Sequence, residues 1–272
     1  MIDLHTHTTA SDGRCTPEAL AACAAAAGVS TLGLTDHDTV GGCAATAEAC
    51  ARLGVAFVPG IEITAVVDER DVHVLAYFFD LESPALHRFL AEQRVRRVER
   101  VREMFSRLAR HGIHLDGEAI LAPGLADSTV AVGRPWIARA LVTAGIVSNV
   151  NDAFTYWLGR GRPAFVPRVG ASPEDVFVRV HEAGGLSSLA HPVLVEHDDW
   201  IPRFAEAGLD ALEVYHSDHD AAATARYLRI ARELGLLVTG GSDFHGDAAH
   251  GGRGPGSVTL PREHWDALLA RR

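Results

Sequence analysis

Lysine is absent from this chain of 272 residues, and its 25 basic side chains are all arginine. An enzyme without lysine cannot form a Schiff base with a carbonyl substrate. It also lacks the lysine with which Walker-type loops bind phosphate. Any phosphate group must therefore be bound by arginine, histidine or backbone amides.

Cysteine is scarce and irregularly placed. The four cysteines, Cys15, Cys23, Cys43 and Cys50, show no Cys-x-x-Cys spacing. Three of them lie in alanine-rich stretches that are predicted to be helical, where a thiol packs like any other small side chain. We therefore predict a packing role for the cysteines rather than a redox or zinc site.

Long apolar runs are missing as well. The apolar start of the chain, residues 2–4, is too short for a signal peptide or a membrane span, and His5 follows it at once. We expect a cytoplasmic protein without membrane partners. The sequence carries no signal for the oligomeric state.

Negative charge dominates the composition, with a formal net charge of -10. A protein that coats nucleic acid would be basic throughout, so we expect no stable nucleic-acid complex. The charge is unevenly distributed, because residues 81–166 hold 12 arginines and 8 acidic residues, a balance of +4, and the remainder carries -14. An arginine-rich segment thus interrupts an acidic scaffold.

Hydrophobic patterning indicates an α/β fold. About seven short apolar strands alternate with helices, which predicts a parallel sheet that closes into a barrel. From Pro84 to His111 the pattern changes to one long charged helix, and helices at 133–144 and 150–158 follow. We therefore divide the chain into a first barrel part (residues 1–80), an all-helical insertion domain (81–166) and a second barrel part (167–272).

Metal-binding side chains recur where these strands end. His5 and His7 are two residues apart on the first strand, so both imidazoles project from one face. That pair alone is equally compatible with histidines that bond to the backbone. Other strands end in similar residues, and strand ends converge on one mouth of a barrel. The nine candidate ligands are His5, His7, Asp12, His37, Glu62, His73, His191, Asp243 and His245. These nitrogen and oxygen donors predict a multinuclear site that suits manganese, iron or zinc.

The same residues form motifs that resemble those of the PHP (polymerase and histidinol phosphatase) phosphoesterases. The motifs are His5-Thr-His with Ser11-Asp-Gly, Thr35-Asp-His-Asp, Gly60-Ile-Glu, His73 in its strand, Ala190-His-Pro and Gly241-Ser-Asp-Phe-His. The resemblance is greatest to stand-alone members that hydrolyse nucleoside 3',5'-bisphosphates, some of which also trim short RNA from its 5' end. It implies a distorted seven-stranded (β/α)7 barrel with two or three divalent ions, manganese first, with iron or zinc as alternatives.

The resemblance also implies how the ligands are shared. The sets are His5, His7 and Asp243 for one metal, Glu62 as its bridge to a second metal on His73 and His191, and Asp12, His37 and His245 for a third. Metals held in this way would activate water for an in-line displacement at phosphorus.

Four arginines are candidates for a phosphate-binding role, since a guanidinium group forms paired hydrogen bonds with phosphate oxygens. They are Arg134, which we also consider as a catalytic residue, and Arg160, Arg162 and Arg168. Each of them taken singly also fits a surface ion pair. Trp136 stands where related sequences often have the histidine of Gly-Arg-Pro-His, and its ring could stack on a base.

His216 and His219 follow the sixth predicted strand. They are candidates to protonate the leaving oxygen or to bind phosphate, and a core or surface role is an equal alternative.

Together these features predict a metal-dependent phosphatase that removes the 3'-phosphate of nucleoside 3',5'-bisphosphates and could also trim short 5'-phosphorylated RNA. Its partners would be a nucleotide or a short oligoribonucleotide. A histidinol-phosphate phosphatase is the alternative enzyme, although an arginine-rich insertion suits a cationic substrate poorly. From another class, the chain could be a non-catalytic, metal-stabilised module that binds nucleotides or a polymerase, but such a module would be expected to lose ligands.

Overall fold

The structure, a computed structural model, describes residues 1–246 and 253–272. Within these ranges one sheet contains the strands β1 (Ile2–Asp3), β2 (Thr31–Leu34), β3 (Ala56–Val67), β4 (Arg70–Tyr77), β5 (Leu186–Leu189), β6 (Ala211–Tyr215) and β7 (Leu237–Gly240). The α-helices are α1 (Pro17–Ala26), α2 (Cys43–Leu53), α3 (Pro84–Arg110), α4 (Gly117–Ala126), α5 (Arg134–Thr143), α6 (Val150–Ala153), α7 (Pro173–Glu182), α8 (Pro192–Val195), α9 (Ile201–Glu206), α10 (Ala221–Leu234) and α11 (Arg262–Arg271). A π-helix over Phe154–Leu158 continues α6, and a 3₁₀-helix over Asp198–Trp200 precedes α9.

The strands lie in chain order around the sheet, and the two ends of the sheet meet. The Leu4 amide donates to the Gly240 carbonyl at 3.2 Å, and Thr6 forms a parallel bridge with Phe244. Gly241 permits this close approach, because a Cβ atom at that position would lie 2.3 Å from the His5 nitrogen. The described strands therefore form a nearly closed seven-stranded barrel surrounded by helices, which confirms the predicted fold class.

The strands are not all parallel, and this corrects the prediction drawn from the alternating pattern. β4 is antiparallel to both β3 and β5, whereas the other neighbouring strands are parallel. A turn at Asp68 and Glu69, both at positive φ, joins β3 directly to β4 without a helix. A turn this short can join only antiparallel strands. Because β4 runs in reverse, His73 near its start reaches the same mouth as the ends of the parallel strands.

The barrel buries one core between its strands and the surrounding helices, and a smaller cluster packs α1 and α2 against β2. α1 begins at Thr16, whose hydroxyl accepts from the Ala19 amide, with Pro17 in the first turn. Cys43 and Cys50 are buried in the smaller cluster, and burial raises the pKa of the Cys43 thiol to about 12. All four cysteines are free, and Cys23 is exposed rather than packed.

The helical segment, residues 84–158, has a hydrophobic cluster of its own. α3 contributes Val98, Val101 and Leu108 to it, at the spacing expected for one helix face. The sequence pattern did not predict α4, which contains Pro123 and the adjacent glycine, two residues that disfavour a helix interior. The division of the chain at residues 81 and 166 stays a prediction. No helix in the described part of the chain is long and apolar enough to cross a membrane.

Candidate metal centre

His5 and His7 lie at the centre of the barrel mouth. Both imidazoles are fully buried, and their ring centroids are 5.2 Å apart. Thr6 between them points the other way, and its hydroxyl donates to the Gly33 carbonyl at 2.6 Å. The alternation of an extended chain thus brings the two imidazoles to one side, as their spacing predicts.

Glu62 on β3 is the carboxylate that most of these histidines share. Its oxygens lie close to imidazole nitrogens of His5 (3.3 Å), His7 (3.2 Å), His37 (3.2 Å), His73 (2.6 Å) and His191 (3.0 Å). Burial alone would raise the pKa of this carboxyl, but the imidazoles of His37, His73 and His5 outweigh burial and hold the pKa well below its usual range. Glu62 is therefore an ionised carboxylate in the middle of a histidine cluster.

Asp243, after β7, is a second shared carboxylate. Its Oδ1 lies 3.2 Å from His5 Nε2, 3.1 Å from His7 Nε2 and 3.5 Å from His245 Nδ1. Its φ of 53° lies in the left-handed region, where a residue with a Cβ is strained. Strain of this kind collects at functional sites, where the surrounding structure enforces it.

Asp12 and His37 complete the mouth on the side of β1 and β2. Asp12 lies 3.3 Å from His245 and 3.7 Å from His37. Burial lowers the pKa of His37 to about 3, although the negative charges of Glu62 and Asp12 act to raise it. Burial thus disfavours a charge on this imidazole, and an imidazole binds a metal in its neutral form.

In the described part of the chain the donors fall into four groups, three of which overlap the predicted sets. The groups are His5, His7, Glu62 and Asp243; His7, Asp12, His37 and His245; His37, Glu62 and His73; and His5, Glu213 and His216. His5, His7 and His37 each belong to two groups, where the prediction gave each of them one metal. His191 falls outside the third group, although its Nε2 remains 3.0 Å from Glu62.

Glu213 on β6 belongs to this cluster, and the sequence prediction missed it. It is fully buried, its Oε1 lies 2.9 Å from His5 Nδ1, and its Oε2 accepts the backbone amide of His191 at 2.8 Å. By engaging Nδ1 it leaves Nε2 of His5 facing Glu62 and Asp243, the arrangement of a carboxylate–histidine–metal triad. An ionisable residue inside the apolar run Ala211–Tyr215 is the same signal that identified Glu62.

The donor set suits divalent cations. Within each group the ligand atoms lie within 4.8 Å of one another, and all are nitrogen or oxygen. Several buried imidazole nitrogens, on His7, His37, His73 and His191, make no hydrogen bond to any residue that the structure describes. The carboxylates Asp12, Glu62, Glu213 and Asp243 carry four negative charges when ionised, and two divalent cations would balance that charge.

His216 lies behind the metal cluster rather than in the open mouth. Its side chain is fully buried, its Nδ1 accepts the Asp218 amide at 3.1 Å, and its Nε2 lies 3.4 Å from Asp243. His219 directs Nδ1 to the Val214 carbonyl at 2.8 Å. The geometry favours a role for His216 in orienting Asp243, and the assignment of both histidines as proton donors stays a prediction.

A cavity of about 280 Å³ opens above the metal cluster, and both the barrel and the helical segment line it. Arginines form one wall. Arg134 Nη2 lies 3.1 Å from Asp71, Arg168 Nε lies 3.4 Å from the same carboxylate, and Arg97 pairs with Asp38. Arg97 on α3 was not among the predicted arginines.

The arginine wall carries a surplus of positive charge. Arg100 lies behind it, 3.9 Å from Asp71, so four guanidinium groups face the two carboxylates Asp38 and Asp71. Burial and the charge of Arg97 lower the pKa of Arg168 only to about 10, so it stays charged at neutral pH. Two positive charges are therefore left over, which matches one phosphate dianion.

Other predicted substrate-binding residues lie elsewhere. Arg160 donates to the Glu69 carbonyl at 3.3 Å, beside a neighbouring shallow pocket, and Arg162 is an exposed residue. Trp136 packs against the hydrophobic cluster of the helical segment. None of these three is among the described residues that line the metal cavity.

Comparisons with known proteins agree with this geometry. A family model described as the PHP domain matches residues 3–119. The 5'-3' exoribonuclease Rnm of Escherichia coli is 37% identical over 252 residues, covering 89% of this chain and 84% of the relative. The 3',5'-nucleoside bisphosphate phosphatase of Chromobacterium violaceum is 35% identical over 283 residues, covering 99% of this chain and 97% of the relative.

Solved structures share the whole architecture. A crystal structure from Bifidobacterium adolescentis, assigned as a metal-dependent phosphoesterase, matches with a TM-score of 0.89 and 32% identity. The match covers 99% of this chain and 95% of that one, so it includes the helical segment as well as the barrel.

Proposed function

The chain belongs to the PHP domain family and is a metal-dependent phosphoesterase, and from that premise we propose that it removes the 3'-phosphate of nucleoside 3',5'-bisphosphates. The observation that carries the proposal is a cavity with two separate places for an anion. One is the cluster of histidines and carboxylates, and the other is the arginine wall. A substrate with two phosphates on one sugar uses both.

The metal cluster is the place for the phosphate that reacts. We propose two or three divalent ions, with manganese expected first, held by the nine predicted ligands in overlapping sets. When bound, such ions lower the pKa of water and neutralise charge on phosphoryl oxygens. Glu62 and Asp243 keep the imidazoles together, and Glu213 and His216 hold His5 and Asp243 in position from behind.

The arginine wall is the place for the 5'-phosphate. Arg134, Arg168 and Arg97 line the cavity, and Asp71 and Asp38 hold their guanidinium groups in place before any substrate arrives. Pre-positioned donors lose little entropy when they bind. The 5'-phosphate would thus serve as a handle whose binding energy orients the 3'-phosphate on the metals.

The same arrangement accepts the end of a short RNA. In a 5'-phosphorylated RNA, the 3' oxygen of the first nucleotide carries the phosphodiester that leads to the second. A 5'-phosphate on the arginine wall would therefore place that bond on the metals. We propose that the enzyme also trims short 5'-phosphorylated RNA, in keeping with the exoribonuclease name of its Escherichia coli relative.

The alternatives fit the cavity less well. Histidinol phosphate carries a cationic amine, which the surplus positive charge of the arginine wall would repel. A non-catalytic module has no need to keep every ligand, and the clustering of histidines and carboxylates at the barrel mouth supports a catalytic site instead.

The test is metal-dependent turnover with product identification. We expect the manganese-loaded enzyme to convert adenosine 3',5'-bisphosphate to adenosine 5'-monophosphate and inorganic phosphate, and to release mononucleotides from a 5'-phosphorylated trinucleotide. Release of the 5'-phosphate instead, or a faster reaction with histidinol phosphate, would refute the proposal while leaving metal-dependent phosphoesterase chemistry intact.

A further inference from the structure

One side of the metal cavity is apolar. Pro135 on α5, Val150 on α6 and Phe154 in the π-helix line it from the helical segment, and Leu194 on α8 lines it from the barrel. Val150 and Phe154 are four residues apart, so they lie on the same face of their helical turn. Neither the metals nor the phosphates need an apolar lining. This wall is therefore available to contact another part of the substrate.

Phe154 offers an aromatic ring at that wall. The ring packs against the hydrophobic cluster of the helical segment, yet the side chain is only half-buried and lines the cavity. Leu194, also on the lining, is 56% exposed although it is a large apolar side chain. Exposed apolar side chains that line a concave site are typical of ligand contact surfaces.

The backbone fixes the position of this ring. Phe154 opens the π-helical turn, and its carbonyl accepts the Gly159 amide at 2.8 Å. A Cβ atom at residue 159 would lie 2.6 Å from that carbonyl oxygen, so the turn depends on glycine there. Single π-helical turns occur frequently at functional sites.

Arg134 connects this ring to the arginine wall. Its guanidinium carbon lies 5.6 Å from the centroid of the Phe154 ring, and its Nη2 lies 3.1 Å from Asp71. In a nucleotide the base and the 5'-phosphate are attached to the same sugar. A 5'-phosphate that binds Arg134 therefore brings the base next to Phe154.

We propose that Phe154 is the nucleobase platform of this enzyme, with Pro135, Val150 and Leu194 completing an apolar base subsite. The proposal rests on the proposed function and names the part of the cavity that recognises the nucleoside. Trp136, predicted to stack on a base, packs inside the helical segment instead. Stacking on a ring tolerates every base, so the subsite would select nucleotides over sugar phosphates rather than one base over another.

The test compares a nucleotide with the matching substrate that lacks a base. The variants are Phe154→Ala, Phe154→Leu, which keeps the packing but removes the aromatic face, and Phe154→Trp, which keeps an aromatic face. Tyr156→Ala is the matched control, because this neighbour on the same turn is 60% exposed and is not on the described cavity lining. Thermal unfolding of each variant checks that the helical segment remains folded.

We expect Phe154→Ala and Phe154→Leu to raise KM for adenosine 3',5'-bisphosphate about tenfold, with little change in kcat. Their kcat/KM for ribose 3,5-bisphosphate, and all constants of Phe154→Trp and Tyr156→Ala, should stay within about twofold of wild type. Equal losses on both substrates, or no loss on the nucleotide, would overturn the proposal.

A separate binding measurement tests the base subsite even if the proposed function is wrong. If the wild type hydrolyses neither substrate, the proposed function fails, and calorimetry with adenosine 5'-monophosphate and ribose 5-phosphate decides the base subsite. Loss of affinity for the nucleotide alone in Phe154→Leu would support the subsite. Unchanged affinity for both would refute it.

Discussion

Glu62 and Glu213 are two buried glutamates with different roles at the metal centre. Burial of an ionised carboxylate costs several kcal/mol, so each needs compensation close by. Glu62 faces five imidazoles from the open side of the cluster, whereas Glu213 engages the far nitrogen of His5 and the backbone of His191. We infer that Glu62 binds metal directly and that Glu213 fixes the ligands.

This difference predicts different losses of metal. Glu213→Gln should weaken metal binding about 10- to 100-fold by loosening His5, with activity largely recovered at saturating manganese. Glu62→Gln should remove a shared ligand, so bound metal falls and saturating manganese does not restore turnover. Metal titration followed by elemental analysis, alongside the phosphate-release assay, measures both effects.

The control for both glutamine variants is Glu206→Gln, at the exposed end of α9. It should leave metal content and rate unchanged. If Glu213→Gln proved as inactive as Glu62→Gln at every manganese concentration, the proposed division of roles would be wrong.

Among the strands and helices, β4 is the element whose direction the sequence pattern could not predict. A short apolar strand looks the same in either direction, so the pattern could not show that β4 is antiparallel to its neighbours. The direction of β4 could have been inferred from the short connection between β3 and β4, because Asp68 and Glu69 leave no room for a crossover helix. His73 would point to the opposite end of the barrel if β4 were parallel, so the short turn also explains how this ligand joins the mouth.

Closure of the barrel between β1 and β7 depends on one glycine. A Cβ atom at residue 241 would lie 2.3 Å from the nitrogen and 2.6 Å from the Cβ of His5. Gly241→Ala should therefore push β7 from β1, lower the free energy of unfolding by about 1–3 kcal/mol and weaken metal binding through His5. Denaturant unfolding and metal titration on the same protein check both effects.

Gly254→Ala provides the comparison, because a Cβ atom there meets no atom of the described residues within 4 Å. That variant should unfold like the wild type and bind metal normally. A fully stable, metal-replete Gly241→Ala protein would show that the barrel closes less tightly than described.

On the scale of the whole molecule, the sequence predicted the barrel and proposed nine ligands because strand ends carry a local signal. Residues that meet only through tertiary packing carry no such signal. Arg97 reaches Asp38 across 59 positions of the chain, and Phe154 reaches the mouth through the fold of the helical segment. The predicted arginines lie in the insertion and just after it, and the sequence pattern could not separate Arg134 and Arg168, which line the cavity, from Arg160 and Arg162, which do not.

The uneven charge of the chain has a structural counterpart. The helical segment supplies Arg97 and Arg134 to the cavity wall and Arg100 behind it, and the barrel supplies Asp38 and Asp71, which hold them. Because the wall keeps two positive charges in excess, a second phosphate on the substrate should contribute strongly to binding. Hydrogen bonds to a charged group contribute about 1.5–3 kcal/mol each, which corresponds to roughly 10- to 150-fold in kcat/KM.

The most direct test of this account is the ratio of kcat/KM for adenosine 3',5'-bisphosphate to kcat/KM for adenosine 3'-monophosphate. We expect a ratio of about 100 in the wild type and a fall of at least about tenfold in Arg134→Ala, through loss on the bisphosphate alone. Arg110→Ala, an exposed arginine at the end of α3, should keep the wild-type ratio. A wild-type ratio near 1, or a ratio that Arg134→Ala leaves unchanged, would contradict the claim that the arginine wall binds the second phosphate.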